Sequence, residues 1–175
     1  MKKLNLTLVF ALLSIFLYSQ GETSLQEWLK AGPIEIHKPA FADTKDIGGK
    51  TFSHQELIKE LEIGIQKAPV KNQAFSVLGQ KTKWQEISIP QDSIIYSTDG
   101  EMEVLLLTSY IELDQWAKIH FDFTSNGLFQ VFIDGNLKHT KTGENLTTEK
   151  VTAELNSGKH QVDIKMIGKQ DIKFS

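Results

Sequence analysis

Hydrophobic and polar residues alternate along residues 116–166, which is the pattern of β-strands with one buried face. The segments 117–123 and 129–133 carry this alternation on either side of Asn126-Gly127. The second segment ends at Asp134-Gly135, and both dipeptides tolerate the positive φ of a tight turn. The pattern therefore predicts a β-hairpin. Its buried face should comprise Ala117, Ile119, Phe121, Phe123, Phe129, Val131 and Ile133.

Two further alternating segments, 151–155 and 160–166, flank Asn156-Ser157-Gly158 and extend the predicted sheet. Most of the remaining chain is also strand-like, so we predict a mostly β protein, an antiparallel β-sandwich with one short helix. The predicted core residues are Phe121, Phe123, Val131, Ile133, Val151, Leu155, Val162 and Ile164.

The earlier part of the chain contains the predicted first strand, the helix and a central strand. The first strand is expected to bend at Gly32-Pro33, since proline cannot donate a hydrogen bond to a sheet. Ser53 and Glu56 form a capping box that predicts a helix over 53–63. The run 102–113 is the longest strand candidate and is apolar at successive positions from Val104 to Leu107, which indicates a central strand buried on both faces.

The amino terminus has the layout of a secretory signal peptide. Lys2 and Lys3 precede an apolar run over 8–17, and small and polar residues follow. The run is shorter than the ~20 residues of a spanning helix, so a signal is favoured over a retained membrane anchor. We predict a signal peptide over 1–19, a lead-in over 20–27, a β-sandwich module over 28–175, and export to the periplasm or the extracellular space.

Composition narrows the classes of partner. The chain has 175 residues, no cysteine and a net charge of −3, which becomes −5 once Lys2 and Lys3 leave with the signal. Arginine is absent, and it is the side chain best suited to bidentate contacts with phosphate. We therefore expect neither nucleic acid nor anionic lipid as a partner. We also expect no stable membrane insertion after signal cleavage.

No set of residues in the sequence indicates catalysis. There is no cysteine, no zinc-ligand spacing among the five histidines and no nucleophile elbow. His160 falls on an apolar strand face, where a structural histidine is the favoured interpretation. The carboxylate pair Asp122 and Asp134 is better explained as solvated strand edges. We predict no catalytic residues, no metal site and no cofactor.

The strings FDFTSNGLFQVFIDGNLKH and VTAELNSGKHQVDIKM resemble the second half of PA14-like and related carbohydrate-binding β-sandwich modules. The matching motifs are Ser125-Asn126-Gly127, Ile133-Asp134-Gly135 and the segment from Leu155 to His160. The start at Trp28 is similar to amino-terminal modules of secreted bacterial hydrolases, including prolyl-oligopeptidase-like peptidases and amidohydrolases. The resemblance implies a jelly-roll or PA14-like sandwich. Calcium-dependent members have two adjacent aspartates where this chain has Ser125-Asn126, a departure that argues against calcium-dependent sugar binding.

Two functions follow as expectations. In the first, the chain is a non-catalytic accessory module that binds carbohydrate or contacts a downstream catalytic domain. In the alternative, it is the amino-terminal part of a secreted hydrolase whose catalytic domain lies beyond residue 175, since the chain ends at Ser175 within an alternating segment. Residues on the polar side of the predicted hairpin form the predicted ligand site. They are Trp116, His120, Gln130, Phe132 and Asp134. The alternative is that the aromatic ones are buried in the sandwich or covered by the helix over 53–63.

Overall fold

A computed structural model of the protein describes residues 25–36, 44–51, 56, 58–59, 67–88, 94–96, 102–168 and 172–174. The predicted signal peptide and most of the predicted helix over 53–63 lie outside these residues. Glu56, Ile58 and Lys59, which belong to that segment, are helical. The strands in chain order are β1 (Glu27–Glu35), β2 (Ala74–Val77), β3 (Gln80–Lys83), β4 (Gln85–Ser88), β5 (Ile94–Tyr96), β6 (Glu103–Leu113), β7 (Ala117–Ser125), β8 (Leu128–Ile133), β9 (Asn136–Lys141), β10 (Thr147–Leu155), β11 (Gly158–Gly168) and β12 (Ile172–Phe174).

The fold is mostly β, as predicted, and consists of two antiparallel sheets packed face to face with a small third sheet. The six-stranded sheet has the order β4-β1-β6-β11-β8-β9, and the four-stranded sheet has the order β10-β7-β12-β5. Strands β2 and β3 form a separate two-stranded sheet. Period-two alternation explains the packing, because each large sheet turns its apolar residues toward the other.

The main core lies between the two large sheets. Phe123 of β7 contacts Phe129 of β8 edge to face, with ring centroids 6.2 Å apart, and stacks on Phe121 at 5.8 Å. The predicted core is confirmed, because every predicted member is buried in this cluster: Phe121, Phe123, Val131, Ile133, Val151, Leu155, Val162 and Ile164.

A second core covers one part of the outer face of the six-stranded sheet. Val104 and Leu106 of β6 point away from the four-stranded sheet and pack with Val77, Trp84 and Ile58. Four successive residues of β6, from Val104 to Leu107, are therefore buried, alternately in one core and the other. The prediction of a central strand buried on both faces over 102–113 is confirmed, since β6 pairs with β1 and β11.

The predicted hairpin across Asn126-Gly127 is wrong. Strand β7 pairs with β10 in the four-stranded sheet, whereas β8 pairs with β9 and β11 in the six-stranded sheet. The residues between them form a connection from one sheet to the other, in which the Gly127 N–H donates to Ser125 Oγ at 3.0 Å. Alternation fixes which face of a strand is buried but not which strand lies beside it, and this is why the faces were predicted correctly and the pairing was not.

The Asp134-Gly135 turn and the bend in β1 follow the sequence prediction. Asp134 and Gly135 have φ values of 50° and 77° and join β8 to β9 in a two-residue hairpin. In β1 the register with β6 shifts between Ala31 and Ile34. Gly32 has a φ of 109°, and a Cβ at this position would lie 2.7 Å from the Val104 carbonyl oxygen. Only glycine fits this bend without displacing the neighbouring strand.

Candidate binding face

The structure divides the five predicted ligand-binding residues between two sheets. Trp116, which is 58% exposed, directly precedes β7, and His120 lies on the outer face of β7 in the four-stranded sheet. Gln130 and Phe132 lie on the outer face of β8, and Asp134 follows that strand in the six-stranded sheet. The outer faces of the two sheets are opposite sides of the sandwich. The five residues therefore do not form one surface, because the hairpin that would have joined them does not exist.

The outer face of the four-stranded sheet is an exposed ladder of cross-strand pairs. His120 Nδ1 lies 2.9 Å from the Thr152 hydroxyl, and the salt bridge between Lys118 and Glu154 spans 3.7 Å. Such exposed pairs contribute little to stability. The polar side chains of this face interact with one another across β7 and β10. The pairs are Lys118–Glu154, His120–Thr152, Asp122–Lys150 and Thr124–Thr148.

The outer face of the six-stranded sheet carries a buried group of polar side chains beside the second core. Asp163 of β11 lies between Thr108 of β6 and Phe132 of β8 in the strand register, and Lys165 lies opposite Gln130. Asp163 is 1% exposed, Lys165 3% and Gln130 6%. We call these side chains the outer polar cluster: Thr108, Gln130, Asp163 and Lys165.

Asp163 has one oxygen with hydrogen bonds and one without. Its Oδ1 accepts hydrogen bonds from Thr108 Oγ1 at 2.6 Å and from Gln161 Nε2 at 2.8 Å. Its Oδ2 is buried and has no hydrogen-bond partner among the residues that the structure describes. Burial raises the pKa of Asp163; the hydrogen bonds from Thr108 and Gln161 act in the other direction, and the charge of Asp134 adds to the increase. Desolvation thus disfavours the charged carboxylate, and in the neutral form of the group one oxygen carries a proton that can be donated.

Lys165 is the cationic member of the outer polar cluster. Burial lowers its pKa, because desolvation disfavours the ammonium. Its Nζ lies 6.0 Å from the centroid of the Phe132 ring, at the outer limit of a cation–π contact. The cluster therefore combines a carboxyl group, an amine, an amide and a hydroxyl on three neighbouring strands.

Aromatic and apolar side chains border the outer polar cluster. Phe132 and Tyr110 are half-buried, and the Tyr110 hydroxyl donates to the Pro69 carbonyl oxygen at 3.3 Å. Lys159 Nζ lies 4.2 Å from the centroid of the Tyr110 ring. Leu137, the β9 partner of Phe132 in the strand register, is 51% exposed. An accessible apolar border thus adjoins a buried polar interior, and we call this surface the candidate binding face.

Asp134 lies at the end of the candidate binding face, where it fixes the β8–β9 turn to β11. Its Oδ1 accepts a hydrogen bond from the Gln161 N–H at 3.0 Å, and its Oδ2 lies 2.7 Å from His160 Nδ1. Burial acts to raise the pKa of Asp134, but the hydrogen bonds from His160 and Gln161 outweigh it and the pKa is lowered. Asp134 is therefore an ionised carboxylate. The prediction that His160 is a structural histidine is confirmed by its contacts with Asp134 and with Asn156 O at 2.9 Å.

A separate polar pocket of about 290 Å³ lies beside the β9–β10 connection, toward the opposite end of the sandwich. Lys141 is buried there and donates to the carbonyl oxygens of Gly127, at 3.2 Å, and Gly143. Burial lowers its pKa. These contacts hold the β7–β8 connection in place, so we assign Lys141 a structural role. The pocket is lined by Thr140, Lys141, Thr142, Gly143, Asn145, Thr147 and Glu149.

The part of the chain that the structure describes contains no group of three or more histidine, aspartate or glutamate side chains arranged to hold a metal ion. Over the same residues, no helix has the length and hydropathy needed to cross a bilayer.

No protein-family model and no curated protein matches the chain. The resemblance to PA14-like modules therefore stays a prediction, and the assignment of a binding face rests on the geometry above.

Sequence reasoning found Gln130, Phe132 and Asp134 of this face and missed Asp163 and Lys165. A signal was present, since Gln161, Asp163 and Lys165 alternate with the apolar Val162, Ile164 and Met166. Alternation alone indicates a solvated polar face. It does not reveal that these polar side chains are buried.

Proposed function

We propose that this protein is an exported, non-catalytic accessory module that binds carbohydrate on the outer face of its six-stranded sheet. The observation that carries the proposal is the buried Oδ2 of Asp163, which has no hydrogen-bond partner among the described residues. The half-buried rings of Phe132 and Tyr110 lie on the same face. The proposal keeps three of the residues selected from the sequence, which are Gln130, Phe132 and Asp134.

The unpartnered oxygen is costly unless something satisfies it. Leaving a buried polar group without a hydrogen bond costs about 1–3 kcal/mol, and such groups are rare in folded proteins. A sugar hydroxyl can both donate and accept a hydrogen bond, so it can partner either protonation state of Asp163. This makes a polyhydroxylated ligand a better match than an anion, which would face the charge of Asp134.

The border of the face matches the other requirement of sugar recognition. Sugar rings have apolar faces and polar edges, and their sites combine aromatic surface with a few directed polar groups. Phe132 supplies an accessible ring, Gln130 supplies an amide whose Nε2 lies 3.4 Å from Thr140 Oγ1, and Lys165 supplies a cation near the ring. Each lies on a strand, and strands hold functional groups more rigidly than loops do.

A glycan array probed with the purified protein tests the proposal, followed by binding measurements on variants with the retained glycan. We expect Phe132→Ala and Asp163→Asn each to weaken binding at least about tenfold, equivalent to ~1.4 kcal/mol. Trp116→Ala is the matched control, since Trp116 is an exposed aromatic residue beside the other sheet. The glycan affinity of this variant should be unchanged. Retention of no glycan, or loss of binding in Trp116→Ala alone, would contradict the proposal.

A second candidate function is contact with another protein domain through the same face. Leu137 is more than half exposed beside Phe132, and an apolar anchor with polar neighbours is also the composition of an interface. In this case any enzymatic activity belongs to a catalytic domain beyond residue 175, as in the alternative predicted from the sequence. Leu137→Asp discriminates the two functions. It should abolish association with such a domain, whereas a sugar held by Asp163 and Phe132 should still bind.

A further inference from the structure

His160 connects two loops that are distant in sequence. Its Nδ1 lies 2.7 Å from Asp134 Oδ2 in the β8–β9 turn, and its Nε2 lies 2.9 Å from the carbonyl oxygen of Asn156 in the β10–β11 connection. The His160 side chain is only 13% exposed. We call this arrangement the His160 bridge: Asp134, His160 and Asn156.

Both partners of the ring are hydrogen-bond acceptors. A carbonyl oxygen has no proton to donate, and Asp134 is ionised, so each contact requires an N–H on the ring. A neutral imidazole has one N–H and one lone pair, whichever tautomer it adopts, and only the imidazolium carries two N–H groups. The geometry of the bridge is therefore that of a protonated histidine.

We propose that the His160 bridge is a proton-controlled connection, in which loss of the proton from His160 releases the β10–β11 connection at Asn156 while the β8–β9 turn stays in place. The proposal does not depend on the function assigned to the candidate binding face.

The two contacts differ in strength, and this decides which one is lost. A hydrogen bond to a carboxylate is roughly twice as strong as one between neutral groups. The remaining proton therefore stays on Nδ1, facing Asp134, and the lone pair of Nε2 then faces the lone pairs of the Asn156 carbonyl. The turn also has support that does not involve the ring. Asp134 Oδ1 accepts from the Gln161 N–H at 3.0 Å, and the Asp134 N–H donates to Gln161 O at 2.9 Å.

The charges around the ring favour the protonated form. The hydrogen bond to Asp134 raises the pKa of His160, the hydrogen bond to Asn156 O raises it further, and burial opposes both. Among the described residues, Lys159 precedes His160 on β11 and Glu112 follows its β6 partner Ile111. Lys138 lies on β9, and Asp163 lies further along β11. Lys138 lowers the pKa of Asp134 and so helps to keep it ionised.

The direction of the pH effect follows from the sign of this shift. The pKa of His160 is higher in the folded chain than the ordinary histidine value of about 6.5. The bridge therefore contributes fully to stability below the ordinary histidine pKa of about 6.5. This contribution is lost as the pH rises through the higher pKa of His160 in the folded chain. The β10–β11 connection should loosen over this same interval.

NMR titration of protein labelled with ¹³C and ¹⁵N tests the proposal, with His160 assigned through His160→Gln. We expect His160 to titrate above its value in the urea-unfolded chain. The amide signals of Asn156, Ser157 and Gly158 should shift with the same midpoint, whereas that of Gly135 should shift little. After the transition the His160 ring should show the tautomer with its proton on Nδ1.

Asp134→Asn is the second variant. Asparagine also accepts the positive φ of this turn, so the hairpin should be retained while the negative charge is removed. The His160 titration and the transition at 156–158 should move together to lower pH. The proposal is overturned if the 156–158 signals do not follow the His160 titration, if the neutral ring is protonated on Nε2, or if Asp134→Asn moves neither midpoint.

Discussion

Phe123→Ala is the substitution whose effect the packing of the two sheets predicts most sharply. The Phe123 side chain is 4% exposed and contacts Phe121 and Phe129, so it joins one sheet to the other. Phe132→Ala is the matched control. It removes the same atoms, but from a half-buried position on the outer face of β8.

The magnitude follows from burial. Truncating a buried phenylalanine to alanine costs about 3–5 kcal/mol, and edge-to-face contacts between aromatic rings add about 0.5–1.5 kcal/mol to area burial alone. We therefore expect Phe123→Ala to cost about 4–5 kcal/mol. Burying a whole phenylalanine side chain is worth roughly 1.5–3 kcal/mol, so partial burial of Phe132 sets its cost at about 1–2 kcal/mol.

Urea unfolding followed by far-UV circular dichroism measures both free energies of unfolding. The free energy of unfolding of a chain of this size depends steeply on urea concentration. The assay therefore resolves a difference of about 2 kcal/mol or more between two variants. If Phe132→Ala costs as much as Phe123→Ala or more, the inner and outer faces of the sandwich have been assigned the wrong way round.

Three other predictions concern the bend in β1, the buried carboxyl group and export. Gly32→Ala should destabilise the protein by more than about 2 kcal/mol, because a strained φ costs about 1–3 kcal/mol and the added Cβ would meet Val104 O. Gly79 has a φ of 78° but open space around it. Gly79→Ala should therefore cost less in the same urea assay. Stability should fall as the pH rises from about 4, the unfolded-state pKa of aspartate, through the raised pKa of Asp163, because the folded state keeps the proton longer. Asp163→Asn should remove this part of the decline, and an unchanged pH profile would contradict a raised pKa at Asp163. Amino-terminal sequencing of protein from the source cells should begin near residue 20, and an intact Met1 in a cytosolic fraction would contradict export.

Period-two alternation predicted the faces of the strands but not their neighbours. Phe121 and Phe123 are buried and Lys118 is exposed, as expected. Pairing depends on contacts between segments far apart in sequence, such as β6 with β11, and local pattern carries little information about these. A connection between sheets and a hairpin turn can both contain Asn-Gly, so Asn126-Gly127 did not distinguish them.

The candidate binding face was partly predictable for the same reason. Gln130 and Phe132 were selected because they alternate with the apolar residues of β8, and this placement is correct. Asp163 was missed because its significance comes from burial and from the neighbouring strands that supply Thr108 and Phe132. Both are tertiary properties. Trp116 and His120 were included only because a hairpin was assumed.

The measurement that tests the proposed binding face most directly is NMR chemical-shift mapping with a glycan retained on the array. The account predicts that the largest shifts on titration belong to the outer face of the six-stranded sheet, at Phe132, Gln130 and Asp163, with small shifts at His120 and Trp116. The largest shifts at His120 and Trp116, on the opposite side of the sandwich, would contradict it.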